Sequence, residues 1–432
     1  MRFITRKIRM EFVSFSVFFV SMGMMDNIFN NKMKRLYSIL FMLLLFVCAS
    51  AQKKEISNAR DNIKKNRNLE QAEKSMSDLL KDSTNRYNDR IWSTMFDAIF
   101  KQYVQGNEKL YLRQNYDTTK LFNLTMKMIR TAESLDSVDA RPNKKGKIEL
   151  KYRKKHAELL HKYRPNLYNG GLFFVNKQKY AEAYKYFDAY IDCANQPLFT
   201  QFDYNANDKR IPEAAYWAVY CGYKMKDPKA TFHHTYLALK DTARYCMMLQ
   251  YLAETYRLEK DTVRYIETLT EGFEKYPTFE FFFPRLVQYY GENGRWETVL
   301  DISERAISNN PESEIYRLSK GTALLNLGKY DECIAISDEL IAENDSLADA
   351  YYDAGMAYFQ KAVELDKNIQ LSKKQKNKIK DLYHKALPYM KCYRALAPDQ
   401  RSKWGLTLYT IYLNLNMGDE FDEIDRLLRE KH

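Results

Sequence analysis

Glycine, proline and histidine are scarce in this sequence, with 14, 10 and 6 residues among 432. No stretch shows the sustained alternation of apolar and polar residues that marks a half-buried β-strand, and most glycines and prolines fall between segments of helical periodicity. The sequence therefore predicts an all-helical chain.

Motifs that mark catalytic and metal sites are also absent. The sequence contains no H-E-x-x-H, G-x-S-x-G, G-x-G-x-x-G or phosphate-binding P-loop. The adjacent His233 and His234 point to different faces of a helix, and His156 and His161 are five residues apart, so neither pair has the i, i+4 spacing of helical metal ligands. We expect no enzyme activity, no catalytic or metal-binding residues and no cofactor. A hydrolase or transferase would need a buried acid or nucleophile that the sequence does not reveal.

Cysteine patterns give no zinc site, because no C-x-x-C pair occurs. Five cysteines follow residue 51: Cys193, Cys221, Cys246, Cys333 and Cys392. Three of them, Cys193, Cys221 and Cys333, hold positions where little volume fits, which predicts buried thiols. A disulfide between Cys193 and Cys221 is the alternative, and the odd number leaves at least one thiol unpaired.

The strongest positive signal is a 34-residue period in the second half of the chain, seen in segments that begin at Cys246, Glu280 and Glu314. Residues of like kind return in register: Tyr256, Tyr290 and Leu324; Tyr265, Val299 and Cys333; Pro277, Pro311 and Asp345. A single helical hairpin cannot hide its apolar face, so a repeat of this length predicts stacked helix pairs with one continuous core.

One copy shows the pair in detail. Apolar residues at spacings of three and four mark a first helix: Phe283, Leu286, Val287 and Tyr290. Gly294 closes the turn. A second helix follows, marked by Trp296, Val299 and Ala306, and Pro311 ends it. This pattern resembles the tetratricopeptide repeat (TPR), which Gly321 and the run from Leu327 to Tyr330 also match. The resemblance implies an all-α, TPR-like α-solenoid, a right-handed superhelix of antiparallel helix pairs.

The repeat pattern predicts an array over residues 164–432, with further copies at 164–197 and 211–245 and inserts near 198–210 and 367–385. The second insert carries Lys373, Lys374, Lys376, Lys378 and Lys380, which we interpret as a solvated helix extension. Residues 52–163 keep helical periodicity without the period, which indicates degenerate repeats. Within them, a segment from Ile148 to Tyr163 is predicted to be one amphipathic helix that ends before Pro165.

The N-terminus carries an export signal. Met33, Lys34 and Arg35 precede an apolar run from Leu36 to Val47 and then Ala49, Ser50 and Ala51, which predicts a signal peptide over 33–51 with Gln52 as the first mature residue. Residues 1–32 have no role in that scheme and are predicted to lie upstream of the true start. The alternative is a lipid-anchored Cys48, although Val47 precedes it where a lipobox has alanine or glycine. We expect a periplasmic protein, peripheral to the outer membrane, with no transmembrane span in the mature chain.

Positive charge is concentrated in one stretch. The net charge falls from +12 to +7 once residues 1–51 and their net +5 are removed, and residues 141–164 hold ten basic residues against two acidic ones. The patch comprises Lys144, Lys145, Lys147, Lys151, Arg153, Lys154, Lys155, Lys162 and Arg164. It is either a solvated helix face or a surface for an anionic envelope component such as lipid or glycan, and export argues against nucleic acid.

The family resemblance implies a concave surface lined by the first helix of each pair, where relatives bind extended or helical peptides. By register, the groove residues of this chain are Tyr223, Gln250, Glu254, Arg257, Phe281, Gln288, Thr322, Asn326, Tyr352, Met356 and Phe359. The lysine and asparagine set with which some members clamp a peptide carboxylate is absent, since Pro284, Leu318 and Tyr352 stand at those sites.

Over residues 33–432 the chain looks like the secreted tetratricopeptide proteins of Bacteroidota, a group with no common activity to transfer. We therefore expect a non-enzymatic periplasmic scaffold that binds protein or peptide partners through its groove. The alternative is an accessory of envelope biogenesis that contacts lipid or glycan through the basic patch 141–164.

Overall fold

Helices, joined by turns and short 3-10 segments, make up most of the described chain, residues 52–143, 145–367 and 372–429 of the computed structural model, which contain no β-strand. The all-α prediction is confirmed. The chain divides into two compact units, Met1–Ala214 and Ala215–His432. The predicted signal peptide and Cys48 lie outside the described residues, and no described helix combines the length and apolar character needed to cross a bilayer.

The first unit consists of consecutive helices joined mostly by short turns. They are α1 (52–64), α2 (Leu69–Leu79), α3 (Asp89–Tyr111), α4 (Thr118–Asp139), α5 (Arg153–Tyr163), α6 (Pro165–Asn176), α7 (Tyr180–Asp192) and α8 (Tyr204–Asn207), with 3-10 turns at Ser83–Asn85, Cys193–Asn195 and Pro197–Phe202. The predicted pair at 164–197 corresponds to α6 and α7. The predicted insert near 198–210 forms a 3-10 turn and the short α8.

Helix starts in this unit follow from local chemistry. Asn88 and Asp117 precede α3 and α4, and their side chains accept hydrogen bonds from the backbone N–H groups of Arg90 and Thr119, which have no partner within the helix. Pro165 occupies the first position of α6, where its missing N–H costs nothing. Apolar residues at helical spacing then face the core.

The segment from Ile148 to Tyr163 differs from its prediction. Its helix begins only at Arg153, and Ile148 is 55% exposed. The backbone N–H of Tyr152, which would bond the Ile148 carbonyl in a longer helix, donates instead to the Asp139 carboxylate at 2.9 Å. That bond holds the chain in a non-helical course before α5.

The second unit continues from α9 (Ile211–Met225), whose first four residues belong to the first unit, through five helix pairs between Tyr245 and Arg429. Its helices are α10 (Pro228–His233), α11 (Thr235–Ala238), α12 (Tyr245–Leu258), α13 (Thr262–Lys275), α14 (Phe282–Glu292), α15 (Trp296–Asn309), α16 (Glu314–Asn326), α17 (Tyr330–Glu343), α18 (Ala348–Asp366), α19 (Lys373–Leu396), α20 (Arg401–Leu415) and α21 (Gly418–Arg429), with a 3-10 turn at Thr242–Arg244. The predicted stacking of helix pairs is confirmed.

A left-handed residue closes the turn inside four consecutive pairs. It recurs at 34-residue spacing, with φ of 54° at Lys226, 60° at Lys260, 66° at Gly294 and 74° at Gly328. In all four turns the next backbone N–H reaches back five residues to a carbonyl of the first helix, at 2.8–3.0 Å. This is the hydrogen bond of a Schellman motif, which satisfies a terminal carbonyl while the chain reverses. The 34-residue period in the sequence therefore coincides with a left-handed turn that recurs every 34 residues.

Two copies depart from the regular pair. In the copy at 211–245 the second helix is broken into α10 and α11 at His234. In the copy after Ala348 the insert lengthens both helices, since α18 runs to Asp366 and α19 begins at Lys373 under a Ser372 capping box. The five lysines of the insert are exposed on α19, as predicted for a solvated helix extension.

Cysteines contribute to packing. All five in the described chain are free thiols, and Cys193, Cys221 and Cys333 are fully buried, as predicted. Burial raises the pKa of the Cys333 thiol to about 12, so it stays protonated and unreactive at neutral pH.

We expect Gly328→Ala to lower the free energy of unfolding by about 1–2 kcal/mol, because a side chain at a left-handed φ meets the neighbouring backbone. Thermal unfolding of the full chain measures this. Gly418→Ala is the matched control: Gly418 has an ordinary φ, and no neighbouring atom lies within 4 Å of the place that an alanine methyl group would take. Equal losses of stability in the two variants would contradict the role of the turn.

Candidate partner-binding surfaces

The first helices of successive pairs in the second unit lie side by side. Along the series α9, α12, α14, α16, α18 and α20, a side chain on each helix contacts one on the next: Tyr223 with Tyr251, Glu254 with Arg285, Phe283 with Tyr316, Thr322 with Asp353, and Met356 with Thr407. The first helices therefore form one continuous row, which carries all the predicted groove residues except Phe281, the residue that immediately precedes α14.

Three predicted groove residues on this row are exposed to solvent. Arg257, Gln288 and Asn326 are exposed and Gln250 is half-buried. Each exposed one bonds only within its own helix: Arg257 to Glu254, Gln288 to Glu292 at 2.9 Å, and Asn326 to the Thr322 carbonyl at 2.8 Å. Such local bonds exchange readily for bonds to a ligand, so these side chains are available to a partner.

Glu254 and Phe281 are held in a charged cluster. The Glu254 carboxylate accepts from Arg257 at 2.6 Å and pairs with Arg285 on the neighbouring α14. The Arg285 guanidinium lies 3.7 Å from the centre of the Phe281 ring, and Phe281 is only 8% exposed. This cluster links two first helices, and the Phe281 ring offers little free area to a ligand.

The remaining aromatic groove residues are half-buried against neighbouring helices. Tyr352 packs on Tyr393 with ring centres 5.0 Å apart, and Phe359 packs on Tyr383 at 5.9 Å. Tyr223 stacks on Tyr251 at 4.7 Å. These rings shape the row of first helices by packing, and the side chains that reach out from the row are chiefly polar.

Beneath the row lies a buried carboxylate that the sequence did not single out. Asp353 on α18 is 2% exposed and accepts a hydrogen bond from the Thr322 hydroxyl at 2.7 Å. Burial raises its pKa to about 7; Asp349 adds to the rise, while the Thr322 hydrogen bond and Lys403 oppose it. An aspartate within a helix carries no sequence signal of burial, so only the packing of α16 against α18 reveals it.

The sequence pattern also did not predict the exposure of two leucines on α20. Leu406 and Leu413 are 69% and 54% exposed, although α20 is otherwise well packed. Their spacing of seven places them on one face of the helix, a signal that the apolar character of the whole helix conceals. They add an apolar stripe to α20, the final helix of the row.

In the first unit, the predicted basic patch separates into two kinds of residue. Six lysines are exposed: Lys145, Lys147, Lys151, Lys154, Lys155 and Lys162. Among the described residues the only carboxylate within salt-bridge distance of any of them is Glu149, 3.9 Å from Lys147. Lys144 lies outside the described residues.

The two arginines of the patch are structural and unavailable to a partner. Arg153 forms a two-pronged pair with Asp136 at 2.7 and 2.8 Å. Arg164 is 4% exposed and donates to Asp208 at 2.6 Å, and its guanidinium lies 3.8 Å from the ring centres of both Tyr190 and Tyr204. The planar guanidinium suits both bidentate pairing and stacking, which explains why arginines take these places.

Both histidines of α5 contact aromatic rings. His156 is 6% exposed and lies against Phe96 with ring centres 4.3 Å apart, and burial lowers its pKa to about 4. His161 stacks on Phe202 at 4.1 Å and its Nδ1 is 2.8 Å from the Tyr204 hydroxyl.

Comparisons with known proteins return solved structures alone. No protein-family model matches the chain, and no curated protein matches it. The C-terminal part of a TPR repeat-containing protein from Cytophaga hutchinsonii is similar, with a TM-score of 0.40 and 12% identity over 60% of this chain and 92% of that one. A TPR repeats protein from Bacteroides fragilis aligns with a TM-score of 0.28 and 17% identity over 61% of this chain and 98% of that one. At such scores neither carries a conclusion about family or function.

We expect Asp353→Asn to raise the free energy of unfolding at pH 8 by about 1–3 kcal/mol and to leave it nearly unchanged at pH 4. The folded-state pKa lies above the ordinary value, so the native state holds this proton more tightly than the unfolded chain. The resulting stability is complete below pH ~4 and is lost as the pH rises through about 7.

Chemical unfolding at several pH values checks this expectation. The matched control is Asp399→Asn, which changes an exposed aspartate of the same unit. A stability difference for Asp353→Asn that does not depend on pH would show that the carboxylate is not the titrating group.

Proposed function

We propose that this protein is a non-enzymatic scaffold that binds protein or peptide partners through the row of first helices in its second unit. The observation that supports it is the side-by-side series from α9 to α20, which presents Arg257, Gln288 and Asn326 to solvent. Amide side chains carry both donors and acceptors, so they can pair with the backbone of an extended segment.

The export signal suggests where such a partner would be met. Lys34 and Arg35 followed by the apolar run to Val47 support a periplasmic location for the mature chain. The partner would then be another envelope protein or an exported peptide.

Site-directed photocrosslinking tests the scaffold. Benzophenone maleimide is attached at Gln288→Cys on α14 or Asn326→Cys on α16, in a background where the exposed Cys392 is replaced by serine. Each labelled protein is irradiated with an envelope extract from the native cells. Because the two positions lie on neighbouring first helices, we expect both to yield adducts with the same partner.

Matched controls carry the label on second helices, at Asp301→Cys on α15 and Glu339→Cys on α17, which are also exposed. We expect no such adduct there. Equal adducts from first and second helices, or unrelated adducts from the two first-helix positions, would rule out binding along the row.

A second candidate function is contact with an anionic envelope component through the first unit. It is supported by the six exposed lysines between Lys145 and Lys162, of which only Lys147 has a carboxylate within salt-bridge distance in the described chain. A cluster of exposed lysines with few salt bridges attracts anionic lipid headgroups or glycans.

Vesicle cosedimentation tests this candidate. We expect the full-length chain to bind vesicles of phosphatidylglycerol and phosphatidylethanolamine at low salt and to lose most binding at physiological salt. Replacing Lys154, Lys155 and Lys162 with glutamine should weaken the vesicle affinity by about 100-fold, since each lysine near an anionic surface contributes ~1 kcal/mol.

The control replaces Lys373, Lys376 and Lys380 with glutamine, which removes the same charge from α19. Equal weakening in both triple variants would mean that net charge, and not the patch, drives the binding.

A further inference from the structure

A polar cavity of about 590 Å³ opens in the first unit, away from the lysine patch. It lies among the turn before α2, helices α2 and α3, and the start of α4. Its volume falls within the ~300–1,000 Å³ of small-molecule sites. Most such sites are lined by apolar side chains, whereas this cavity has one aliphatic residue, Leu69, and one aromatic residue, Tyr116.

Amide side chains dominate the lining: Asn66, Asn68, Gln71, Gln102 and Gln105. Gln102 is 7% exposed, and its Nε2 donates to Glu73 at 2.7 Å, which leaves its carbonyl oxygen without a hydrogen bond among the described residues. Asn68 stands at the N-cap of α2, yet its side chain does not cap the helix. Its side-chain amide therefore does not make the helix-capping hydrogen bond that asparagine normally makes at this position.

Three ammonium groups line the same cavity and only one is neutralised. Lys120 pairs with Glu70 at 2.5 Å. Lys74 and Lys109 have no carboxylate within salt-bridge distance in the part of the chain that the structure describes, and Lys109 lies 5.9 Å from the centre of the Tyr116 ring. The lining thus holds two uncompensated positive charges.

The shape of the cavity depends on Gly106. A Cβ at this position would lie 2.5 Å from the ring of Tyr116, so the ring rests directly on the backbone of α3 because residue 106 is glycine. Tyr116 thereby forms a wall beside Lys109 and Lys120.

We propose that this cavity binds an acidic carbohydrate, a sugar that bears a carboxylate. Lys74 and Lys109 supply the positive charge for the carboxylate, and the amides match the donor and acceptor pairs of neighbouring hydroxyls. An acidic peptide would bring similar charge, but its apolar side chains would find little apolar surface here. The site lies outside the row of first helices, so this inference does not rest on the proposed scaffold function.

Titration calorimetry of the full-length chain at low salt tests the proposal with three probes: trigalacturonate, neutral maltotriose and tri-L-glutamate. We expect trigalacturonate to bind at least about tenfold more tightly than either other probe, because maltotriose lacks the carboxylates and tri-L-glutamate lacks the hydroxyls. Raising the salt should weaken trigalacturonate binding.

The double variant Lys74→Gln, Lys109→Gln should weaken trigalacturonate binding by roughly tenfold, since two partly exposed charge pairs are lost. The control, Lys179→Gln with Lys185→Gln, removes the same charge from exposed positions at and within α7 and should bind like the parent. Thermal unfolding shows whether each variant is folded.

Three results would overturn the proposal. They are no measurable binding of trigalacturonate at millimolar concentration, equal affinity for trigalacturonate and tri-L-glutamate, and equal affinity of the two double variants for trigalacturonate.

Discussion

Reversal of the chain through a single left-handed residue is the constraint on which the second unit depends. At Lys226, Lys260, Gly294 and Gly328 the backbone takes a positive φ, and the following N–H bonds a carbonyl five residues earlier. The geometry ends one helix, satisfies its terminal carbonyl and directs the second helix back along the first. Because it recurs every 34 residues, equivalent helices fall into equivalent places. The row of first helices follows from that repetition.

Polar contacts between first helices divide the row into fixed and available side chains. Glu254 with Arg285 and Thr322 with Asp353 join neighbouring helices, and Asp353 is buried. Gln288 and Asn326 bond only within their own helices and stay exposed. A partner would therefore meet polar side chains on a surface whose position is set by the bonds beneath it. Burial raises the pKa of the Asp353 carboxyl to about 7, so we expect that support to depend on pH.

The basic patch of the first unit divides its described residues by chemical type. Arg153 and Arg164 are paired with carboxylates, and Arg164 is also stacked between tyrosines, whereas the six described lysines of the patch remain in solvent. A planar guanidinium retains several hydrogen bonds when buried, while an ammonium group is strongly hydrated and stays at the surface. Counting charges along residues 141–164 could not separate these roles, since both kinds contribute equally to the local charge.

The sequence by itself determined the all-helical fold, the period of the pairs and the turn at Gly294 and Gly328, because helical periodicity and turn chemistry act over a few residues. It also placed the candidate groove on the first helices by register. Only the tertiary structure decided which of those residues are available, that Phe281 and Arg164 are buried, that Asp353 lies under the row, and that amides and lysines of α2 and α3 share a cavity. Burial and pairing depend on which helix packs against which, and residues such as Thr322 and Asp353 meet only through that packing.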